Sequence, residues 1–443
     1  MSEHIRLLHI NDLHSYFEAY PKINRFFEEK RSSQQVETLT LDLGDNIDRS
    51  HPLTDATLGG ANVALMNDLG IQLATIGNNE GIGLSKDVLN HVYDTAQFQL
   101  ILGNLESQGQ RPSWAKPYHL YKTKEGTTIA FLAYTFPYIA TYEPNGWQVL
   151  DPLVCLTQDL ERPEVKAADF RIVMSHLGIR YDEKIAEHFE AVDLIIGAHT
   201  HHVFEEGKQL GTTYLAAAGK YGQYVGEINL FFDDHKLEEI NIIAHETRCL
   251  PSQAGDDAFI SHLEDEGHRL LRKYPIKTFK EDFDLEKSCQ LVMDAMLDYA
   301  KADVVIINSG LVVTPFVKEL SRDSLQKSLP HQMRLAVVEV DKSAFLEICR
   351  DIYSEALFLK NEKIRGMGFR GRVFGDIVQK GFTYKNHEIV YNSHIAKKEK
   401  LRLVLVDQYV FARYFETLKA YPAQLLFPDL LREVVENYIV KTF

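Results

Sequence analysis

"IRLLHINDLH", residues 5–14, runs apolar and then halts on Asn11, Asp12 and His14. A short apolar run that ends in polar side chains reads as a buried strand with a functional carboxyl end. The pattern recurs down the first half of the chain. "VETLTLDLGD" stops at Gly44 and Asp45, "IQLATIGNNE" at Asn78, "DFRIVMSHLG" at His176, and "AVDLIIGAHTHH" at His199 and His201. "FQLILGNLE" and "TTIAFLAYTF" add two more strand-like runs, while "ANVALMNDLG" and "YDEKIAEHFEAV" carry helical spacing. Strands that alternate with helices predict an α/β layered domain. Polar groups just past the carboxyl ends of such strands collect along one edge, where ligands bind.

At 443 residues the chain exceeds a single core, so two domains are expected. The first covers 1–248. A connector containing a helix follows over 249–275, starting Pro/Ser/Gly-rich and turning charged. A second α/β domain covers 276–443. It holds a helix at "SCQLVMDAMLDYAKA" and a strand at "DVVIINSG". With 48 Lys and Arg against 63 Asp and Glu, the net charge of −15 disfavours nonspecific binding to nucleic acid or an anionic membrane. It leaves room for a small anionic substrate wherever bound cations reverse the local field. No apolar run reaches the roughly 18 residues of a membrane span. The start, "MSEHIRLLHINDLH", has no secretory pattern, so a cytoplasmic location is expected. Cys155, Cys249, Cys289 and Cys349 are widely spaced and form no CxxC pair; they read as buried free thiols.

Asp12, His14, Asp45, Asn78, His176, His199 and His201 make two carboxylates, one amide oxygen and four imidazoles. Residues two apart in an extended chain face the same side, so Asp12 with His14, and His199 with His201, can line one cavity. Taken singly, a strand-end histidine is more often a hydrogen-bonded surface or core group, and a lone Gly-Asp is a turn. Five such ends in succession point to metal. A mixed N/O set without thiolate suits Mn²⁺ best, with Zn²⁺, Fe or Mg²⁺ as alternatives, and suits Ca²⁺ poorly. Seven donors exceed one ion's needs; two ions sharing one carboxylate would use them all. His9 lies inside the first strand and reads as core. His202 is expected to point away from His201.

The order Asp-x-His, Gly-Asp, Gly-Asn, Ser-His, Gly-x-His-x-His resembles the binuclear metallophosphoesterase superfamily. "LLHINDLH", "LDLGDNID", "ATIGNNE", "MSHLG" and "GAHTHH" resemble its 5′-nucleotidase family, in particular the bacterial YunD-type branch. The resemblance implies a four-layer αββα metallophosphoesterase domain followed by an α/β 5′-nucleotidase-type substrate domain. It implies that Asp12, His14 and His201 hold one ion, that Asn78, His176 and His199 hold the other, and that Asp45 bridges them. A hydroxide shared by the ions would then attack phosphorus in line.

The sequence departs from the family in two places. The family pattern Gly-Asn-His-Glu/Asp, with an Asp three residues after the His, implies a catalytic imidazole and its orienting carboxylate. Here those positions are Asn79 and Ile82. Asn79 can donate a hydrogen bond to the phosphoryl group but cannot release a proton. Its loss matters most for poor leaving groups. In the second domain the family's nucleoside motif survives as "NSGLVV": Asn308 is kept, but its arginine position is Val313. "IRGMGFRGRVFGD" offers Arg365, Arg370 and Arg372 as phosphate forks and Phe369 as a base-stacking face. The same stretch also reads as a hairpin with solvated arginines and core phenylalanines. Tyr409 is a second stacking candidate. The expected activity is hydrolysis of a nucleotide or related phosphoester. The alternatives are a nucleotide pyrophosphatase or cyclic-nucleotide phosphodiesterase, or a weakly active nucleotide sensor.

Overall fold

The computed structural model describes residues 2–33, 36–362, 364 and 369–443. The chain forms two compact units, 1–265 and 266–443. The first is built on two sheets. One orders its strands as Lys236–Glu246, Tyr224–Asp233, Ser2–Ile10, Glu37–Asp42, Leu73–Ala74, Gln99–Ile101 and Ala115–Lys116. The other runs Lys208–Leu210, Thr213–Ala216, Leu194–Gly197, Phe170–His176, Thr128–Thr135 and Tyr118–Lys122. The strands that carry the polar ends pair in parallel: Ser2–Ile10 with Glu37–Asp42, and Thr128–Thr135 with Phe170–His176 and on to Leu194–Gly197. Their polar termini therefore emerge on the same side of each sheet.

Alternation along the strands explains the layering. Ile129, Phe131 and Ala133 join Leu7, Leu39, Leu41, Ile172 and Met174 in a core that both sheets share. Their neighbours Ala130, Leu132 and Tyr134 face the opposite way, into a second core with Leu156 and Ile185 from two covering helices. Because each face is covered, the strands read as continuous apolar runs. The helix Tyr20–Arg31 packs on the Glu37–Asp42 strand, giving a helix–sheet–sheet–helix sandwich.

The second unit has a five-stranded mixed sheet, ordered Ile377–Lys380, Val304–Asn308, Lys400–Val406, Leu335–Asp341 and Ala423–Leu426. The helices Leu285–Ala300 and Lys342–Leu359 pack on it. The connecting segment divides between the units. Arg25 binds both Asp256 and the Pro251 carbonyl, while Arg272 and His268 bind Asp323. The helix Asp256–Arg272 thus begins in one unit and ends in the other. Among the described residues, no helix is long and apolar enough to cross a membrane. All four cysteines are free; Cys155, Cys289 and Cys349 are buried as expected, but Cys249 is exposed, because it lies in a surface turn after the last strand of the first sheet.

Two glycines let the strand ends meet. Gly44 has φ +87°, and a Cβ there would lie 2.3 Å from the backbone nitrogen of Gly77. A Cβ on Gly77 would lie 2.1 Å from Asp45 Oδ1 and 2.4 Å from the His176 ring. Gly44→Ala combines a left-handed backbone with a collision against main chain that cannot swing aside. It is expected to destabilise the first unit by about 2–3 kcal/mol, read as a lower urea midpoint.

Candidate metal centre

The strand ends bring Asp12, His14 and His201 together as one cluster, and Asp45, His176 and His199 as another. Within each cluster the donor atoms lie within 4.8 Å of one another. Asp45 spans the two. Its Oδ1 is 3.4 Å from His176 Nε2, and its Oδ2 is 3.8 Å from His14 Nε2. Asp12 Oδ1 lies 3.6 Å from His201 Nε2 and 3.9 Å from both His14 and His176 Nε2. Asp12, Asp45 and His176 are almost completely buried. His202 turns from this centre toward Asp182, as expected, and His9 is core.

Local backbone conformation aims these groups. Asp12, His14, Asp45, His199 and His201 all have positive φ, between 50° and 70°. Left-handed non-glycine residues cost roughly 1–3 kcal/mol each and persist where the surroundings enforce them. The enforcing contacts are visible. Glu80 accepts the backbone N–H groups of Asp45, Ile47 and Gly77, tying the two loops together. The Asp12 carboxylate accepts from the His199 N–H and the Asn11 amide. Glu80 sits inside the "GNNE" motif, yet only its burial reveals the clamp.

The donor set fits divalent cations. Among the described residues, the buried Oδ1 of Asn78 and Nε2 of His176 have no hydrogen-bond partner. Orphaned buried acceptors at such a place need an explanation, and an ion supplies one. His176 Nδ1 lies 2.7 Å from the Leu43 carbonyl, so in the neutral ring the proton is held on Nδ1 and Nε2 is the nitrogen left to face a cation. Without an ion the charges conflict. Burial pushes the Asp12 carboxyl up. Burial also opposes charge on Asp45, yet His176 and His14 beside it hold that carboxyl well below its ordinary range. Burial disfavours charge on His176, but Asp45 and Asp12 raise it to about 10. Burial and neighbouring His176 drive His199 down to about 3; burial and His14 take His201 to about 4. A cation pair allows every donor to be unprotonated at once.

Asn79 is engaged on both sides. Its N–H donates to Asp45 Oδ1 at 2.7 Å, and its side-chain amide is 2.8 Å from His14 Nδ1. Ile82 offers no polar group three residues on. An aromatic rim escaped the sequence reading. Phe136 stacks on His199 at 4.7 Å, and the Tyr138 hydroxyl is 3.5 Å from His199 Nε2. Tyr221 lies edge-on to His14, with Lys220 Nζ 4.7 Å from the Tyr221 ring centre. Phe136 and Tyr138 follow a strand's carboxyl end too, so the strand-end rule would find them once it is widened beyond metal donors.

The C-terminal candidates are corrected by burial. Asn308 is fully buried; it donates to the Phe374 carbonyl and accepts from the Tyr409 hydroxyl. Tyr409 is equally buried and packs against Phe415, leaving no ring face for a base. Phe369 is 4% exposed and stacks on His331. Arg370 and Arg372 are exposed beside the buried Phe369 and Phe374, the Arg370 guanidinium donating to the Phe369 carbonyl, and no strand forms over 369–376. Arg365 lies outside the described residues.

His331 holds that loop through both ring nitrogens. Nε2 lies 2.8 Å from the Leu311 carbonyl, and Nδ1 accepts the Arg370 N–H at 2.9 Å. Only the neutral ring can do both, and burial lowers its pKa from 6.5 to about 4. The unfolded chain takes up the proton first. The contribution is therefore complete above about pH 6.5 and is lost as pH falls toward 4. At about 1.4 kcal/mol per pKa unit this amounts to about 3 kcal/mol. Urea unfolding from about pH 7.5 to about pH 4.5 is expected to show this loss in the C-terminal transition, and His331→Gln to flatten it.

Comparison with known proteins agrees with this geometry. A model of the calcineurin-like phosphoesterases matches residues 5–203. The uncharacterized metallophosphoesterase YunD of Bacillus subtilis is 33% identical, over 98% of this chain and 99% of its own length. In fold, the chain is similar to a putative 5′-nucleotidase from Staphylococcus aureus solved with alpha-ketoglutarate. The TM-score is 0.66 at 15% identity, covering 99% of this chain and 96% of that one. The NAD nucleotidase of Haemophilus influenzae gives 0.65 at 14% identity over the same shares.

Proposed function

The chain belongs to the metallophosphoesterase family and is a metal-dependent phosphoester hydrolase, and we propose that it acts on nucleotides or closely related phosphoesters through two divalent ions. The reading rests on one observation above all: Asp45 belongs to one three-residue donor cluster, with Oδ1 3.4 Å from His176 Nε2, and turns its other oxygen to within 3.8 Å of His14 Nε2 in the second. In the proposed assignment Asp12, His14 and His201 hold one ion, Asn78, His176 and His199 hold the other, and Asp45 serves both. Manganese suits this nitrogen–oxygen set best. When bound, such ions polarise a phosphoryl oxygen and make a water nucleophilic near neutral pH.

The protein's own groups set the rest. Two carboxylates leave the pair of ions net positive, which favours a phosphate dianion in an otherwise acidic protein. Tyr138 and Tyr221 give the mouth aromatic faces and hydroxyl donors. In the C-terminal unit, Arg370 and Arg372 remain the candidate contacts for an anionic substrate, while Asn308, Phe369 and Tyr409 support that unit's core. The exposed thiol of Cys249 favours a reducing compartment, in keeping with a cytoplasmic setting.

The activity is tested with p-nitrophenyl phosphate and its bis ester, with added Mn²⁺. Turnover is expected, with abolition by a chelator and recovery on adding metal back. His176→Ala is expected to lower metal affinity by more than the roughly 10–100-fold typical of outer-shell partners. A wild-type protein that binds no ions and turns over neither ester would end the assignment. A screen of nucleoside mono- and diphosphates, nucleotide sugars and cyclic nucleotides then identifies the substrate class.

With an amide at position 79 turned onto His14, that position offers no proton to a departing alkoxide. A nucleotide pyrophosphate is therefore expected to give the higher kcat/KM, by a factor of roughly 10² against a nucleoside 5′-monophosphate. Equal values, or a preference for the monophosphate, would reject the leaving-group argument.

A further inference from the structure

The loop 217–223 carries the chain from Thr213–Ala216 in one sheet to Tyr224–Asp233 in the other. It is fastened to the strand end that bears Asp12. The Asn11 side chain donates to the Gly219 carbonyl at 2.6 Å and accepts the Ala218 N–H at 3.2 Å. The Gly219 N–H donates to the His202 carbonyl, and the Tyr221 N–H to the Asp12 carbonyl at 2.9 Å. These bonds hold Tyr221 at φ +58°, with Gly219 at +70° and Gly222 at +62° beside it. Glycine takes this conformation freely. A bulky aromatic residue takes it at a cost, and a strained residue fixed this firmly points to a task. The loop sets the Tyr221 ring edge-on to His14, 5.6 Å between centres, and 5.2 Å from the ring of the exposed Tyr16.

Lys220 rides on the same loop. Its ammonium sits 4.7 Å from the Tyr221 ring centre. Among the described residues it pairs with no carboxylate, although acidic side chains outnumber basic ones 63 to 48. After burial and His14, the Lys220 charge is the next cause of the low pKa of His201, so the ammonium is felt at the first donor cluster. An unpaired cation beside a cation site is repelled by it unless an anion comes between them. In the two-ion reading the ions meet the charge of the reacting phosphoryl group. A third cation, outside both donor clusters, is then useful where the substrate carries a further anion. We propose that Lys220, seated on Tyr221, forms a subsite for the second phosphate of a nucleotide with a pyrophosphate linkage, and so determines specificity. The proposal rests on the two-ion reading above. Lysine suits the task as a compact point charge with three rotatable donors. It also complements the amide at position 79: a phosphate that is already an anion needs its charge met rather than a proton supplied.

Titration calorimetry on the full-length wild type, Lys220→Gln and Lys220→Arg tests this, with circular dichroism as the check of folding. Mn²⁺ uptake is counted first, and two ions are expected. The loaded proteins are then titrated, with Mn²⁺ in excess, with methylphosphonate, which carries one anionic group, and with methylenediphosphonate, which carries two and resists hydrolysis. The wild type is expected to bind methylenediphosphonate the more tightly. Lys220→Gln is expected to lose about 10–100-fold in affinity for that ligand and about threefold or less for methylphosphonate. Lys220→Arg keeps the charge and is expected to recover most of the loss. Equal losses for the two ligands, or wild-type affinity for methylenediphosphonate in folded Lys220→Gln, would overturn the proposal while leaving the two-ion reading intact. So would a wild type, loaded with two ions, that binds methylenediphosphonate no more tightly than methylphosphonate. A wild type that takes up fewer than two ions would bring down the two-ion reading itself, and this proposal with it.

Discussion

The fold's central constraint is electrostatic: two carboxylates and four imidazoles crowd together at the strand ends, and Asp12, Asp45 and His176 among them are shut off from water. Left to themselves these groups would take up protons, repel one another or draw in solvent. The opposed shifts of Asp12 and Asp45, and of His176 and His199, express that conflict. Two parallel strand sets oppose it by brute positioning. Each delivers donors at its carboxyl edge, and the apolar core between the sheets fixes how far apart the edges lie.

Around that constraint the supporting structure becomes intelligible. Gly44 and Gly77 are the smallest possible residues where two loops touch. Glu80 is buried and acidic, but it satisfies three backbone donors that the irregular loops would otherwise strand. Asn11 and the His199 N–H keep the Asp12 carboxylate from rotating. Each of these residues serves the donors without being one.

Much of this was legible in the sequence, and for a physical reason. A buried strand announces itself by apolar continuity, and its polar stop marks a sheet edge, so Asp12, Asp45, His176, His199 and His201 stood out. The Leu73–Ala74 strand shows the limit: only two residues form the ladder, although the apolar run is longer, and the Thr75 N–H makes the last bond to the neighbouring strand, at the Asp42 carbonyl. The second unit was read less well. Asn308, Phe369 and Tyr409 looked like ligand contacts because amides and aromatics serve both recognition and cores. Only three-dimensional pairing, such as the Tyr409 hydroxyl on Asn308, separates those uses. Tyr138 follows a strand's carboxyl end and was passed over because it is no metal donor, whereas nothing in local patterning marks Lys220, whose contact with the site runs through Tyr221.

The left-handed backbone at five of the seven donors carries a consequence for design. Aspartate, asparagine and histidine are the non-glycine residues that most readily tolerate this conformation. The main chain therefore acts as a filter on side-chain type, independent of any preference of the bound cation. Retuning the centre toward a softer metal by introducing cysteine, or toward a larger one by lengthening aspartate to glutamate, would have to begin with the loops rather than with the ligands.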